Sequence, residues 1–413
     1  MNNFKTIKEG NITENLVTPV ILGADVAVAG GGVAGIAAAL SAARAGAKVV
    51  LIERGFMLGG LATAGLVTIY LPLCDGCGRQ VSFSLAEELL RLSVSEFCDG
   101  KGGYVNWLTD DTTHRSEKDP RFEVNFNPQL FAISAEKLLE KEGVQILYGC
   151  YAVGASVESG RITALSVEGK SGRFAVRAKS YVDCTGDADI NKLAGEDTAL
   201  FGQGNVLAAW YYGASKTKGY ELFPLGVCDV PDEEKEKGTK GEKPLVAQRF
   251  SGLDDVEISR MVSLSHDVVL SDFRKRNAAD AAFEPATIPT IPQIRMTRRV
   301  DGAYVMGADE MHREFADSIG MVGDWRKRGP VYEVPFSTLH GKKIRNLLSA
   351  GRCTSVTDGL WDVMRVIPCC AVTGEAAGLA AAITDDITAF GVETLQSELV
   401  KRGVKLHESE LSR

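Results

Sequence analysis

The sequence lacks any apolar stretch long enough to cross a membrane as a single helix. Its most apolar late segment, Cys369 to Ile383, is interrupted by Glu375, whereas a spanning helix needs about 20 apolar residues. The first residues are polar and have no apolar core of the kind that signal peptides carry. These absences predict a soluble protein with no membrane partner, located in the cytoplasm.

Basic residues are also fewer than acidic ones. The chain has 46 Lys and Arg against 54 Asp and Glu, a net charge of −8, and no basic tract offsets this excess. Proteins that bind nucleic acids usually carry a basic patch or stripe. The charge balance therefore argues against a nucleic-acid partner.

Neither cysteine nor histidine occurs in a pattern typical of a metal site. The nine cysteines are an odd number in a chain without an export signal, which favours reduced thiols. Cys74 and Cys77 have CxxC spacing but no second pair, so a loop with two thiols is the simpler interpretation. Adjacent Cys369 and Cys370 could be a redox pair, although packing at a helix start is favoured. None of the five histidines has metal-ligand spacing, and no metal is predicted.

The most informative stretch runs from Asp25 to Glu53, DVAVAGGGVAGIAAALSAARAGAKVVLIE. It predicts a strand, a turn of glycines, an Ala-rich helix and a second strand that ends in an acid. Gly30 permits the tight turn, Gly32 has no Cβ to hold a pyrophosphate away from backbone amides, and Gly35 allows close packing. Glu53 can accept hydrogen bonds from both ribose hydroxyls and would repel a 2′-phosphate. The pattern predicts an FAD or NAD site rather than NADP; a βαβ unit that binds nothing is the alternative.

The remainder of the chain divides into two kinds of sequence. Residues 151–179 alternate as short strands with Ser-Gly turns, which is typical of a β-meander. An apolar strand follows and ends in Thr185-Gly186, a further glycine at the edge where α/β sheets bind ligands. Residues 200–331 change to a mixed pattern with aromatic residues and several arginines. We therefore predict a second, mixed domain.

Five separated motifs resemble those of FAD-dependent oxidoreductases of the glutathione-reductase-like superfamily. They are GGGVAG with Glu53-Arg54, GGLAT, the meander into VDCTGDAD, TRRVDGAY, and NLLSAGRCTS with MRVIPCCAVTGEAAG. The resemblance runs from about Ala24 to Val404. It implies an α/β fold, with a Rossmann-like FAD-binding domain of central parallel sheet and β-meander and an inserted mixed α+β substrate domain. The implied FAD-binding parts are residues 20–70, 127–200 and 331–405, and the inserted parts are residues 71–126 and 201–330.

The resemblance also implies which residues surround FAD. Those at the pyrophosphate, adenosine, ribityl chain and second sheet edge are Gly30, Gly32, Val33, Ala34, Gly35, Glu53, Arg54, Val153, Gly60, Leu61, Ala62, Thr185 and Gly186. Gly351 and Arg352 stand where related flavoproteins have Gly-Asp, so the usual ribityl carboxylate is absent and Asp358 could substitute. Cys370, Ala371 and Val372 match the segment facing the flavin pyrimidine ring, where a helix N-terminus stabilises the negative charge of reduction.

Candidate catalytic residues lie outside the glycine motifs. No second strand-GxGxxG-helix unit occurs, so hydride is expected from a small-molecule substrate, or electrons from a transient donor or acceptor. Arg295, Arg298, Arg299 and Arg365 could clamp a carboxylate or stabilise developing charge, or they could form a solvated cluster. His340 is a candidate base, or a polar loop residue.

Two other functional classes fit the same sequence. One is a non-redox enzyme on this scaffold, including one that consumes NAD. The other is a binding protein that keeps the dinucleotide fold without turnover. The oligomeric state is not predicted.

Overall fold

The computed structural model describes residues 10–98, 123–216, 219–226 and 244–411. Residues 99–122 and 227–243, which belong to the predicted inserted parts, lie outside the described residues.

A parallel sheet of five strands occupies the centre. Its order is β18 (Leu347–Ser349), β10 (Ser180–Asp183), β2 (Val26–Ala29), β3 (Val49–Glu53) and β6 (Gln145–Tyr148), all paired in parallel. β2, β3 and β10 are buried at every position, because helices or the meander cover both faces. The predicted α/β class is confirmed.

The predicted meander forms a second sheet. It consists of β7 (Tyr151–Glu158), β8 (Arg161–Gly169) and β9 (Gly172–Arg177), which pair antiparallel, and β1 (Val20–Gly23), which joins β9 in parallel. Ser159 and Gly160 both have positive φ, of 50° and 72°. This is the conformation of a two-residue hairpin turn that matches the twist of the strands.

Helices α1 (Val33–Arg44), α2 (Leu85–Val94), α3 (Pro128–Lys141) and α4 (Asp189–Ala194) come from the first half of the chain. Helices α5 (Asp255–Ala279), α6 (Asp358–Met364), α7 (Ile367–Ile383) and α8 (Val392–Lys401) come from the second. α7 is buried on all sides from Ile367 to Ala381 and packs along α1. Among the described residues no single helix combines the length and apolarity of a membrane span; α6 and α7 do so only as a pair bent by 89°.

The second region is built from smaller sheets. β12 (Ala209–Ser215) lies between β13 (Gly219–Leu225) and β14 (Glu284–Thr287), and α5 packs against it. Three antiparallel pairs complete the described strands: β4 (Ile69–Tyr70) with β5 (Val124–Asn125), β11 (Thr198–Leu200) with β15 (Arg298–Val300), and β16 (Ser318–Gly323) with β17 (Val331–Pro335). This mixture of strands and one long helix agrees with the predicted α+β character.

Candidate cofactor and active site

A cavity of about 1100 Å³ opens at the carboxyl edge of the parallel sheet. Residues close behind all five strands lie in its wall, namely Gly30, Arg54, Cys150, Cys184 and Ala350. Open α/β sheets bind ligands at this edge. The volume exceeds that of sites for ordinary drug-sized ligands, as an extended dinucleotide requires.

Helix α1 begins at this cavity without a side-chain cap. Its N-cap residue is Gly32, and no side chain accepts a hydrogen bond at that position. A Cβ built on Gly32 would have no protein atom within 4 Å, although Gly32, Val33 and Ala34 all lie in the wall. The absent Cβ therefore leaves space for a ligand, and the helix amides and dipole favour a diphosphate.

The other glycines around this turn allow backbone segments to meet. Gly30 has a φ of 99°, and a Cβ there would lie 2.7 Å from the carbonyl carbon of Cys184. Gly35 lies behind the wall, where a Cβ would be 3.0 Å from the Gly30 carbonyl carbon. Gly351, with a φ of 74°, packs so closely that its Cβ would lie 2.8 Å from that of Ala34. These contacts bring β2, β10 and β18 together beneath the cavity.

Glu53 holds the loops that flank the start of α1. Its two carboxylate oxygens accept hydrogen bonds from the backbone amides of Gly31 and Gly55, each at 2.6 Å. The side chain is also in the cavity wall. Because a carboxylate has about four acceptor positions, both oxygens keep capacity for ribose hydroxyls.

The wall next to Glu53 is formed by Arg54, Phe56, Tyr151 and Ala152, and Val153 is not part of it. β7 begins at Tyr151, so the chain is already leaving the cavity when it reaches Val153. Phe56 is 85% exposed, and its ring is 2.7 Å from where a Cβ on Gly149 would lie. The glycine motifs give no signal for Phe56.

Arg298 lies in the wall but is bound to the loop that follows β10. Its Nε donates to the Asp187 carbonyl oxygen at 2.9 Å, and its Nη2 donates to Asp189 Oδ1 at 2.7 Å. Burial raises the pKa of Asp189 to about 6, and the nearby carboxylates of Asp187 and Asp183 add to this rise while Arg298 opposes it. Arg298 therefore fixes the Thr185-to-Asp189 loop rather than standing free as a substrate clamp.

Arg352 connects the loops that follow β10 and β18 to the second region. Its Nη1 donates to the carbonyl oxygens of Ile294 and Arg295 at 3.0 and 3.1 Å and lies 3.5 Å from Asp187. The guanidinium carbon is 2.7 Å from where a Cβ on Gly186 would lie, so this glycine makes room for it. Arg352 thus occupies the position where the resemblance implies a carboxylate, and its guanidinium is hydrogen-bonded to backbone carbonyl oxygens.

Helix α7 begins at Ile367, three residues before Cys370. Ile367 and Cys370 lie in the cavity wall, but Ala371 and Val372 do not. The Cys370 amide donates to the Val366 carbonyl oxygen at 2.9 Å, so the helix is already hydrogen-bonded at that residue. The segment predicted to face the cofactor is therefore shifted toward Ile367.

His340 and Asp358 are not brought to the cavity. His340 Nδ1 lies 2.9 Å from the Gly341 carbonyl oxygen, its ring packs on Phe336, and burial lowers its pKa. Asp358 begins α6 and accepts a hydrogen bond from the Gly202 amide at 2.8 Å. The structure therefore corrects two expectations, because neither the predicted base nor the substitute for a ribityl carboxylate faces the ligand space.

The far side of the cavity comes from the second region. The residues there are Gly252, Leu253, Asp255, Ile258, Thr290, Ile291, Pro292 and Ile294. The Thr290 amide donates to the Ala64 carbonyl oxygen at 2.9 Å, which ties this wall to the loop of Gly60, Leu61 and Ala62. No sequence motif marks these positions; only the prolines after Thr287 indicate an irregular segment.

The eight cysteines among the described residues are in no disulfide bond. Cys369 Sγ donates to Val363 and Cys370 Sγ to Arg365, at 3.2 and 3.3 Å, and burial raises the pKa of Cys370 to about 11. Cys74 and Cys77 are not in a disulfide bond and lie on either side of buried Asp75 in the chain. Within the described residues, no group of three or more His, Cys, Asp or Glu side chains is placed to hold a metal ion.

Solved structures that align with this chain include a dehydrogenase and a monooxygenase. A 3-ketosteroid-Δ4-(5α)-dehydrogenase from Rhodococcus jostii RHA1 aligns with a TM-score of 0.41 and 17% identity, over 89% of this chain and 98% of that one. A p-nitrophenol 4-monooxygenase from Pseudomonas putida DLL-E4 aligns with a TM-score of 0.42 and 12% identity, over 92% and 84%. Values this low do not identify a substrate.

The chain also has similarity to known proteins in sequence. A curated thioredoxin reductase of Ureaplasma parvum serovar 3 is 35% identical over 71 residues, which span 17% of this chain and 23% of that relative. A family model described as FAD dependent oxidoreductase matches residues 25–207 and 243–389, most of the chain. The match includes the uncapped start of α1 and the wall residues behind all five strands. The chain therefore belongs to the family of FAD-dependent oxidoreductases, and FAD is its cofactor.

Proposed function

We propose that this FAD-dependent oxidoreductase takes a hydride from a small-molecule substrate that meets the flavin between the parallel sheet and the second region. The observation that carries the proposal is the composition of the cavity wall. One side consists of the glycine loops and helix starts suited to a dinucleotide, and the other consists of side chains from residues 252–258 and 290–294. A single space thus offers room for cofactor and substrate together.

The cofactor is proposed to lie as in the glutathione-reductase-like superfamily. The order of the parallel sheet and the meander between β6 and β10 support this placement. FAD pyrophosphate would face the amides of Val33 and Ala34, the ribose would face Glu53, and the flavin would lie toward Ile367. When bound, FAD supplies the acceptor for two electrons, while the protein orients it and excludes water.

The electron source is proposed to be the substrate itself or a transient partner. Within the described residues, the five-stranded sheet is the only parallel sheet that carries a glycine turn and an uncapped helix start. No separate NAD(P)H domain is therefore available in this part of the chain.

The substrate is proposed to be small and largely apolar, with a polar group at one end. Leu253, Ile258, Ile291 and Ile294 give the second-region wall an apolar surface. Besides Arg298 and Arg352, which are hydrogen-bonded to protein groups as described above, the wall contains the charged residues Asp255 of α5 and Arg365, which lies between α6 and α7. Apolar pockets with a few convergent polar groups are typical of small-molecule sites.

An anaerobic screen tests the proposal. FAD-loaded protein would be mixed with hydroxy acids, amino acids, sugars, apolar alcohols and NAD(P)H, and loss of the oxidised-flavin absorbance would be recorded. We expect one small-molecule class to bleach the flavin, and an Ile258→Arg variant, which retains the cofactor loops, to bleach more slowly. Reduction by dithionite but by none of the screened compounds would refute hydride transfer from a small-molecule substrate and would favour the transient partner as electron donor.

The division into an FAD-binding part and an inserted part stays a prediction, as do the cytoplasmic location and the partners. α2, from the predicted inserted part, packs on α7 through a hydrogen bond from Ser84 to Glu375. We therefore propose that α2, although it belongs to the predicted inserted part, shares the core of the FAD-binding part.

A further inference from the structure

Arg365 carries a buried ion pair into the wall of the cavity. It follows the last residue of α6, and its side chain is 9% exposed. Its Nη2 donates to Asp362 Oδ1, and Asp362 is fully buried. Many ion pairs among the described residues, such as Arg44–Glu88, are partly exposed, and pairs of that kind contribute little. The Arg365–Asp362 pair is buried and also reaches the ligand cavity, so a small contribution to surface stability does not explain it.

The guanidinium lies beside the N-terminus of α7. That helix begins two residues after Arg365 and has no side-chain cap. Ile367 and Cys370 share the wall with Arg365, and Cys370 Sγ donates to the Arg365 carbonyl oxygen at 3.3 Å. The positive charges of Arg352 and Arg365 both act to lower the pKa of Cys370 against the larger effect of burial. Positive potential from the helix and from the side chain therefore meets at one end of the cavity.

The carboxylate of Asp362 is paired with Arg365. Its backbone carbonyl oxygen accepts a hydrogen bond from Trp325 Nε1 at 3.0 Å, which fixes the turn of α6. Its Oδ2 has no hydrogen-bond partner among the described residues. A carboxylate buried in this way is costly unless its charge is paired, so the position of each partner depends on the other.

We propose that Asp362 is a positioning residue, which holds the Arg365 guanidinium at the start of α7 so that it stabilises the negative charge that FAD acquires on reduction. This rests on the cofactor placement given under the proposed function. It does not depend on the identity of the substrate.

The positive charge of Arg365 and the negative charge of Asp362 would change the reduction potential of the flavin in opposite directions. Removing a nearby cation destabilises the reduced, more negative cofactor and lowers the potential. Removing a nearby anion has the reverse effect if the anion acts only through its charge. If Asp362 acts by positioning Arg365, however, its loss also lowers the potential, because the guanidinium is no longer held in place.

The experiment measures the potential of FAD-loaded protein by equilibration with a reference dye, without any substrate. We expect Arg365→Met and Asp362→Asn each to shift the equilibrium about tenfold toward oxidised flavin, equal to about 30 mV for a two-electron couple. Arg365→Lys should shift it less. Sulfite, a small anionic probe that adds to oxidised flavin, should bind the same variants more weakly. Arg313→Met is the matched control, because Arg313 also pairs with an acid three residues earlier, Glu310, but lies outside the cavity wall.

A higher potential in Asp362→Asn would overturn the positioning role, and so would no change. If that variant does not retain FAD, the double variant Asp362→Asn with Arg365→Met contains no unpaired buried charge and replaces it in the test. Positioning predicts the same potential for the double variant as for Arg365→Met alone, whereas a charge acting independently predicts a higher one. Because no substrate is used, failure of the substrate screen and failure of this inference remain distinguishable.

Discussion

Gly378 of α7 lies directly against the backbone of Ala38 in α1. A Cβ built on Gly378 would be 2.6 Å from the Ala38 carbonyl carbon, and one built on Gly374 would be 2.9 Å from the Cβ of Ala37. The two helices therefore approach as closely as their backbones allow. Because both begin at the cavity, this contact sets the distance between the two positive helix ends.

Substitution of Gly378 tests that relationship. We expect Gly378→Ala to lower the free energy of unfolding by about 2 kcal/mol, since an added methyl in a packed interface forces backbone shifts, and to weaken FAD binding because the helix starts separate. Urea denaturation and FAD titration measure the two effects. Gly23→Ala is the control, as a Cβ there would have no atom within 4 Å. Equal stability of both variants would show that the helices are not in close contact.

Gly32 is predicted to matter for the cofactor and not for the fold. Its φ and ψ of −65° and −179° are ordinary for alanine, and a Cβ would enter only the cavity. We expect Gly32→Ala to leave the stability of the FAD-free protein within about 0.5 kcal/mol while weakening FAD binding on the order of 100-fold, or about 3 kcal/mol. Fluorescence titration with FAD measures the change. Full retention of FAD by this variant would argue against a diphosphate at the start of α1.

The sequence predicts the cofactor side of the site well because that chemistry is local. The glycine turn, the helix and the acid at Glu53 lie within one continuous segment, and each has a separate physical reason to be there. The same holds for the strand that ends in Thr185-Gly186. Neighbouring residues build these features, so their spacing in the sequence is enough to indicate their positions.

The substrate side is built from distant segments, and the sequence does not show how they meet. Ile258 and Ile294 reach the cavity only because α5 and the loop after β14 fold over it. In the sequence His340 lies just before the strand of residues 347–349, but the turn that contains it directs the ring into a buried contact with Phe336. The charge of Arg298 suits a substrate clamp, but the fold pairs it with Asp189, which lies more than 100 residues earlier in the chain. Tertiary contacts of this kind leave no local pattern.

The role assigned to Arg298 can be tested by a paired substitution. We expect Arg298→Met to lower the free energy of unfolding by about 2 kcal/mol, because it leaves the partly buried carboxylate of Asp189 without its partner. Adding Asp189→Asn to that variant should recover part of the loss. Urea denaturation of the wild type, both single variants and the double variant gives the coupling energy. If the Arg298→Met variant is as stable as wild type but substrate reduces its flavin far more slowly, Arg298 is a catalytic residue instead.

Glu375 predicts how stability depends on pH. The residue is 3% exposed in the middle of α7, where it accepts hydrogen bonds from Ser84 Oγ at 2.6 Å and from the Leu85 amide at 3.1 Å. Burial raises its pKa from 4.5 to about 7, and these hydrogen bonds reduce the rise without cancelling it. Because the folded state holds the proton more tightly than the unfolded chain, the stability due to this group is complete below pH 4.5. It is lost as the pH rises through 7.

Glu375→Gln should remove this loss, because glutamine carries no charge, and its carbonyl oxygen can accept from the Leu85 amide while its NH2 group donates to the Ser84 hydroxyl oxygen. We expect the variant to match wild type near pH 4.5 and to exceed it at pH 8 by up to about 3 kcal/mol, the free energy that corresponds to the pKa shift. Asp189 also has a raised pKa, but it is present in both proteins, so the difference between them isolates Glu375. Urea denaturation at the two pH values measures it, with Glu393→Gln at an exposed position as control. A constant difference between wild type and Glu375→Gln across this range would mean that Glu375 is not titrating in the folded protein.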